Sequence, residues 1–330
     1  MKILLYCQFS EGYNEAFRKR ISEIAPDAEL NYYDDNNWSP EEYHKKLEEA
    51  EVIIGHFKPD DLQYCKNLKL IQMDIEGVDA YVKNPYLPDE TVICNAGGSY
   101  GKVVAEHAVA LAMALCRDIH IYAENRLQRK WKINIPDKAI EGSTVTILGA
   151  GDIGCTAAQI LRPLADRIIG VRRVVRDKPE VFDEMVTLDE IEKYLPQTDI
   201  LICALPGTPL TKGFLNAERM RLLKEDAVLV NVGRGTLIPM DDLAQVLSEG
   251  KLRGAGIDVF EKEPLPDDHP LWNCSNIIIT PHSAGNAMAQ SSPTNTKIFN
   301  LIYSNLAAYI AGQPLKAVVD KTTGYRKTKT

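Results

Sequence analysis

Short apolar runs recur along the chain, each bounded by turn residues and separated by stretches with helical spacing. MKILLYC (1–7) is the first run. PEEYHKKLEEA (40–50) has helical spacing and leads into EVIIGHF (51–57), and LKLIQM (68–73) and TVICNA (91–96) come next. Apolar runs of about four to eight residues read as buried strands. Their alternation with helices predicts a parallel sheet covered on both faces.

The texture changes at Tyr100. KVVAEHAVALAMALCRDIHIYAENRLQRKW (102–131) is one long helical pattern without Gly or Pro, and Gly97-Gly98 before it makes a flexible entry. A second alternating series then runs through STVTILG (143–149), RIIGV (167–171), DILICAL (199–205), AVLVNVG (227–233), GAGIDVF (254–260) and NIIITPH (276–282). Six parallel strands complete a doubly wound dinucleotide domain. A helical stretch near 287–311 and a polar tail, DKTTGYRKTKT, close the chain. At 330 residues two domains are expected. The simplest topology returns the last helix to the first domain. The expectation is therefore an α/β protein of two doubly wound parallel-sheet domains. A discontinuous flavodoxin-like substrate domain (1–99 and 285–330) receives a Rossmann dinucleotide-binding domain (100–284) as an insertion. Two long helices cross between the domains, and a cleft between them is the expected ligand site.

The second series opens on a glycine loop. VTILG runs into Gly149-x-Gly151-x-x-Gly154, and IGCTAAQIL continues as a helix. The first glycine allows the tight turn, the second admits the pyrophosphate, and the third lets helix and strand pack closely. The helix N-terminus, at Asp152 and Ile153, offers unpaired N–H groups to the phosphates. About twenty residues on, where a carboxylate usually grips the ribose of NAD, the chain reads GVRRVVR (170–176). Arg172 and Arg173 stand in its place. Guanidinium groups pair with phosphate, so NADP(H) is favoured and NAD(H) remains possible. Arg176 adds charge, and Asp177 lies several residues past the strand end.

Charge narrows the partners. A net charge of −8 argues against nonspecific binding to nucleic acid or anionic membranes. No uninterrupted apolar run approaches roughly eighteen residues, and the N-terminus turns polar before a signal-peptide core forms. The seven cysteines include no CxxC pair and lie mostly in apolar runs. They read as buried reduced thiols of a cytoplasmic protein. His44, His56, His120 and His269 have no companions at metal-ligand spacing, so no metal site is expected. His107, in AEHAVA, reads as a packed or interface histidine.

Three stretches carry the candidate chemistry. NVGRGTLI places Arg234 just after a strand, GIDVFEKEPLP places Asp258 in a strand and Glu263 beyond it, and IIITPHSAGN places His282 after the last strand. Carboxyl ends of parallel strands face one crevice. An arginine, an acid and a histidine suit hydride chemistry at an alcohol beside a carboxylate. Arginine holds the carboxylate, histidine trades the proton, and the acid raises and orients the histidine.

The pieces GAGDIG (149–154), LPGTPLTKGFLNAERM (205–220), NVGRGTLI (231–238), GAGIDVFEKEPLP (254–266) and HPLWNCSNIIITPHSAG (269–285) together resemble the D-isomer-specific 2-hydroxyacid dehydrogenases. Weaker similarity continues at LKLIQMDIEGVD (68–79) and VVAEHAVALAMAL (103–115). The resemblance implies that Arg234 binds the substrate carboxylate and carbonyl, with His282 as acid/base paired to Glu263. It implies that Asp258 meets the nicotinamide side of the cofactor, with Leu205, Pro206, Val232, Gly233 and Gly285 alongside. Gly77 and Val78 would bind the substrate carboxylate through their N–H groups. It also implies a homodimer built through the long helix near 101–122. Two positions depart from the family: the arginine pair, and Glu76, where a small residue is usual. Within the family, phosphoglycerate dehydrogenase is the alternative to a glyoxylate/hydroxypyruvate reductase. In another class, a cofactor-sensing corepressor on the same scaffold is the alternative.

Overall fold

Strands and helices alternate through the residues described by the computed structural model, which are 1–6, 15–33, 38–133, 136–175, 177–286 and 292–323. The chain divides into two compact units, Met1–Tyr100 with Ala287–Thr330, and Gly101–Asn286.

In the first unit the elements run β1 (Lys2–Tyr6), α1 (Glu15–Ile24), β2 (Glu29–Tyr33), α2 (Pro40–Glu49), β3 (Val52–Ile54), β4 (Leu70–Gln72), α3 (Asp79–Val82) and β5 (Val92–Cys94). The strands pair in parallel in the order β2-β1-β3-β4-β5, the flavodoxin-like order. Ser39 caps α2, accepting the Glu42 N–H at 3.2 Å, with Pro40 in the first turn where its missing N–H costs nothing. A later helix, Pro293–Ile310, belongs to this unit, and the expected start of that helix at 287–291 lies outside the described residues. Its buried Asn305 donates to Gln72 Oε1 at 2.6 Å and accepts the Lys316 N–H at 2.8 Å. Strand β2 (ELNYY) is not among the apolar runs. It is a sheet edge and only half buried, so it carries no apolar signature.

The second unit begins with α4 (Gly101–Cys116) and α5 (Ile119–Leu127). The long pattern over 102–131 is thus two helices rather than one. Asp118 sits in the left-handed region (φ 53°), and its buried carboxylate pairs with Arg253 at 2.9 Å. That buried pair turns the chain where the apolar pattern runs on. Beyond α5 come β6 (Thr144–Leu148), α6 (Asp152–Leu161), β7 (Arg167–Val171), β8 (Glu184–Val186), β9 (Ile200–Cys203), α7 (Ala217–Leu222), β10 (Ala227–Asn231), α8 (Met240–Ser248), β11 (Leu252–Ile257) and β12 (Ile277–Ile279). The sheet order is β12-β11-β10-β9-β6-β7-β8, all parallel. Beginning the count at β6, this is the 3-2-1-4-5-6 order of a dinucleotide-binding fold with one further strand. The sequence supplies six of these strands. The seventh, β8, is a three-residue edge, EMV, too short to form a recognisable apolar run. The central strands β9 and β10 are buried at every position, as a sheet covered on both faces requires. The protein is α/β, with a Rossmann unit inserted into a flavodoxin-like one.

Candidate functional site

Register gathers the candidate residues of the second unit. Leu148, at the end of β6, stands opposite Val171 and Cys203. Asn231 stands opposite Cys203 and Ile257, and Ile257 opposite Ile279. The strands therefore end level, and the segments beyond their ends lie along one edge of the sheet. Gly149, Arg172, Leu205, Val232, Asp258 and His282 all come from these strand-end segments.

Gly149 takes φ 103°, and a Cβ there would meet the Ala204 carbonyl at 2.6 Å. Only glycine fits this turn. Gly154 lies in the first turn of α6 against the Gly149 carbonyl. Gly151 differs, because a Cβ there would find no atom within 4 Å. Its open side fronts a helix N-terminus that carries no side-chain cap. The N–H groups of Gly151, Asp152 and Ile153 meet no acceptor among the described residues. An open cradle of unpaired N–H groups fits a dinucleotide pyrophosphate. The Asp152 carboxylate does not crowd it, since it accepts the Gly101 N–H at 3.1 Å and caps α4. Leu205 and Gly233 pack backbone to backbone beside the loop. Val232 donates to the Cys203 carbonyl at 3.0 Å, and Thr211 holds the Pro206 carbonyl at 2.7 Å.

Arg172 is the first residue past β7. Its Nε donates to the Ala150 carbonyl at 2.7 Å and its Nη1 to Asp177 at 3.0 Å. The guanidinium thus lies against the glycine loop. Arg173 comes next and is exposed, and Arg176 lies outside the described residues.

The opposite end of the edge carries the candidate acid/base residues. His282 Nδ1 lies 2.7 Å from Glu263 Oε2. A carboxylate only accepts, so Nδ1–H is the donor. The hydrogen bond to Glu263 raises the His282 pKa against the lowering effect of burial. Burial works to raise Glu263, but the bonds from His282 and from the Phe260 N–H (2.8 Å) hold its pKa below the usual value. Arg234 is close enough to lower both pKa values through its charge. Gly235 brings it there, because its backbone packs so tightly on the Phe260 backbone that a Cβ would overlap it.

His282 itself adopts φ 51°, which side-chain-bearing residues rarely take. Its N–H donates to the Asp258 carbonyl at 2.8 Å. The Asp258 side chain, 1% exposed, accepts the N–H groups of Ser283 (2.8 Å) and Ala284 (3.0 Å) and the Thr280 hydroxyl (2.6 Å). With its hydroxyl proton on Asp258, Thr280 accepts from His107 Nε2 at 3.1 Å. Asp258 thus fastens the loop that carries His282 and, further on, Gly285. Buried Asn231 does the same for Arg234, accepting the Gly233 N–H at 3.1 Å and donating to the Arg234 carbonyl at 3.1 Å. Sequence reasoning passes over Asn231 and Thr280. Their signal is a polar residue ending an apolar strand.

In the first unit, Gly77 and Val78 lie beyond β4, and their N–H groups meet no acceptor among the described residues. The Glu76 carbonyl accepts from Asn95 Nδ2 at 2.8 Å. Nearby, His56 Nδ1 lies 2.8 Å from buried Asp74. Among the described residues no cluster could hold a metal ion, and no helix is long and apolar enough to cross a membrane.

Residues 109–284 match the family model for the NAD-binding domain of D-isomer-specific 2-hydroxyacid dehydrogenases. The chain is 31% identical to glyoxylate/hydroxypyruvate reductase A of Escherichia fergusonii over 92% of its own length and 94% of that protein's. It is 30% identical to glycerate dehydrogenase of Methylorubrum extorquens, over 86% of this chain and 90% of the relative. Among solved structures it superposes with a TM-score of 0.81 on an NADPH-dependent glyoxylate/hydroxypyruvate reductase from Sinorhizobium meliloti in complex with NADP and sulfate. That pair is 26% identical and covers 98% of this chain and 99% of the other.

Proposed function

Because the chain belongs to the family of D-isomer-specific 2-hydroxyacid dehydrogenases, we propose that it reduces a small 2-keto acid, of the glyoxylate or hydroxypyruvate kind, to the D-2-hydroxy acid with NADPH. As a member of that family it is an NAD(P)-dependent oxidoreductase acting on the CH–OH group. The observation that carries the reading of its chemistry is the His282–Glu263 pair at 2.7 Å under the charge of Arg234.

The nicotinamide, when bound, supplies the hydride. His282, protonated and held by Glu263 through Nδ1, presents Nε2 to the carbonyl oxygen and gives up the proton there. Arg234 holds the substrate carboxylate and steadies charge growing on that oxygen. Gly77 and Val78 are proposed as further carboxylate donors, supported by N–H groups that meet no acceptor among the described residues. Gly149, Gly151, Asp152, Ile153 and Gly154 hold the pyrophosphate through the loop and helix N-terminus. Leu205, Pro206, Val232, Gly233, Asp258 and Gly285 line the cofactor's course. Arg172 and Arg173 select the 2′-phosphate, a reading supported by Arg172's place beside the loop and by the NADPH dependence of the Sinorhizobium relative. A homodimer through the helical stretch near 101–122 is also proposed. The exposed Ile119, Leu127, Trp131 and Ile133 in and just after α5 support it.

The test is a keto-acid panel of glyoxylate, hydroxypyruvate and pyruvate, run with NADPH and NADH and monitored by loss of reduced-cofactor absorbance. Turnover with glyoxylate or hydroxypyruvate is expected. Tight cofactor binding with no turnover of any keto acid would point instead to a cofactor-sensing regulator.

A further inference from the structure

Arg172 is held on three sides. Nε donates to the Ala150 carbonyl at 2.7 Å, Nη2 lies 3.8 Å from Cys155 Sγ, and Nη1 donates to Asp177 Oδ1 at 3.0 Å. Its backbone is fixed as well, the N–H donating to the Val186 carbonyl at 3.0 Å. Ala150 and Cys155 belong to the phosphate loop and its helix, so the guanidinium is positioned by the loop it serves. Asp177 is different in kind. It is the charged partner of the three, and its side chain is 73% exposed against 26% for Arg172.

We infer that Asp177 is an internal stand-in for the cofactor's 2′-phosphate, and that it moderates the preference for NADPH over NADH that Arg172 creates. The inference rests on the proposed role of Arg172 in selecting that phosphate. A carboxylate and a phosphate present the same acceptor oxygens to a guanidinium, so they compete for it. Arg172 cannot follow Asp177 outward, because Ala150 anchors Nε. The phosphate must therefore displace the carboxylate or share the guanidinium with it. Displacement is cheap, since an exposed pair is weak. Afterwards a negative carboxylate still stands near a dianionic phosphate and repels it. Both effects weigh on the phosphorylated dinucleotide and neither on NADH. Asp177 is the first acid after β7, where the ribose-gripping acid of an NAD site is missing. Here the acid returns to act on the arginine rather than on a ribose.

Equilibrium titrations test this without turnover. NADPH, NADH, adenosine 2′,5′-bisphosphate and AMP are each titrated calorimetrically into the wild type, Asp177→Asn, Arg172→Ala and the double variant. In Asp177→Asn the ratio of Kd for NADH to Kd for NADPH should rise about three- to tenfold. The ratio for AMP over the bisphosphate should move alike. Both gains should shrink at high salt and fall sharply on the Arg172→Ala background, where only the direct repulsion is left. An unchanged or reduced ratio in Asp177→Asn, or a gain undiminished without Arg172, would overturn the inference. The underlying reading fails separately, if Arg172→Ala leaves NADPH binding untouched.

Discussion

The two ends of the edge in the second unit are fastened by different means. Around His282 every part is fastened. The backbone N–H is bonded to Asp258, the next N–H groups to the Asp258 carboxylate, and the ring to Glu263, which is itself held by Phe260. Around Arg172 the guanidinium is held by Ala150 and Cys155, but its ionic partner, Asp177, is a largely exposed loop acid. Proton transfer needs fixed geometry, and the residues proposed to carry it are held by several bonds at once, through buried Asp258 and through the exposed bond between His282 and Glu263. Choice between two cofactors needs only a difference of charge, which exposed side chains supply and can lose without harm to the fold.

Substitutions can break or sharpen that contrast. The largest loss is expected for His282→Asn, where kcat/KM for keto-acid reduction should fall roughly 10²- to 10⁴-fold while cofactor affinity holds. Glu263→Gln should cost roughly ten- to a hundredfold near neutral pH, because the imidazolium loses the charge that supports it. Asp258→Ala should act on stability. The N–H groups of Ser283 and Ala284 lose their acceptor, at about 1–3 kcal/mol for each group left unpaired in a buried place, read from urea unfolding. Arg172→Ala should weaken NADPH binding by roughly tenfold, the worth of one charge-assisted contact, with little change in unfolding. A strongly destabilised Arg172→Ala, or a fully stable Asp258→Ala, would erase the distinction between the two ends.

The same contrast governs what is legible in the sequence. The central strands announce themselves because burial on both faces demands continuous apolar runs, as in ILIC and AVLVN. The glycine loop is legible because its conformation excludes a side chain at Gly149. Edge strands β2 and β8 are not legible, since a half-covered edge needs no such run. The break between α4 and α5 is hidden because it depends on Arg253, far along the chain from Asp118. Arg234, Glu263 and His282 are legible as residue types at strand ends. The roles of Asn231, Thr280 and Asp258 in holding their loops appear only in hydrogen bonds. Asp177 is visible but stands several residues past the strand end, and its fold-back onto Arg172 leaves no mark on the sequence.

The central claim is that His282, raised by Glu263, carries the proton. Its most direct test is the pH profile of kcat/KM for glyoxylate reduction in the wild type and in Glu263→Gln. Reduction uses protonated His282, so the rate should hold at low pH and fall as pH rises through the raised pKa. In Glu263→Gln the support is gone, and the falling limb should move to lower pH. A limb at the same pH in both proteins, or one that moves to higher pH in the variant, would contradict the account.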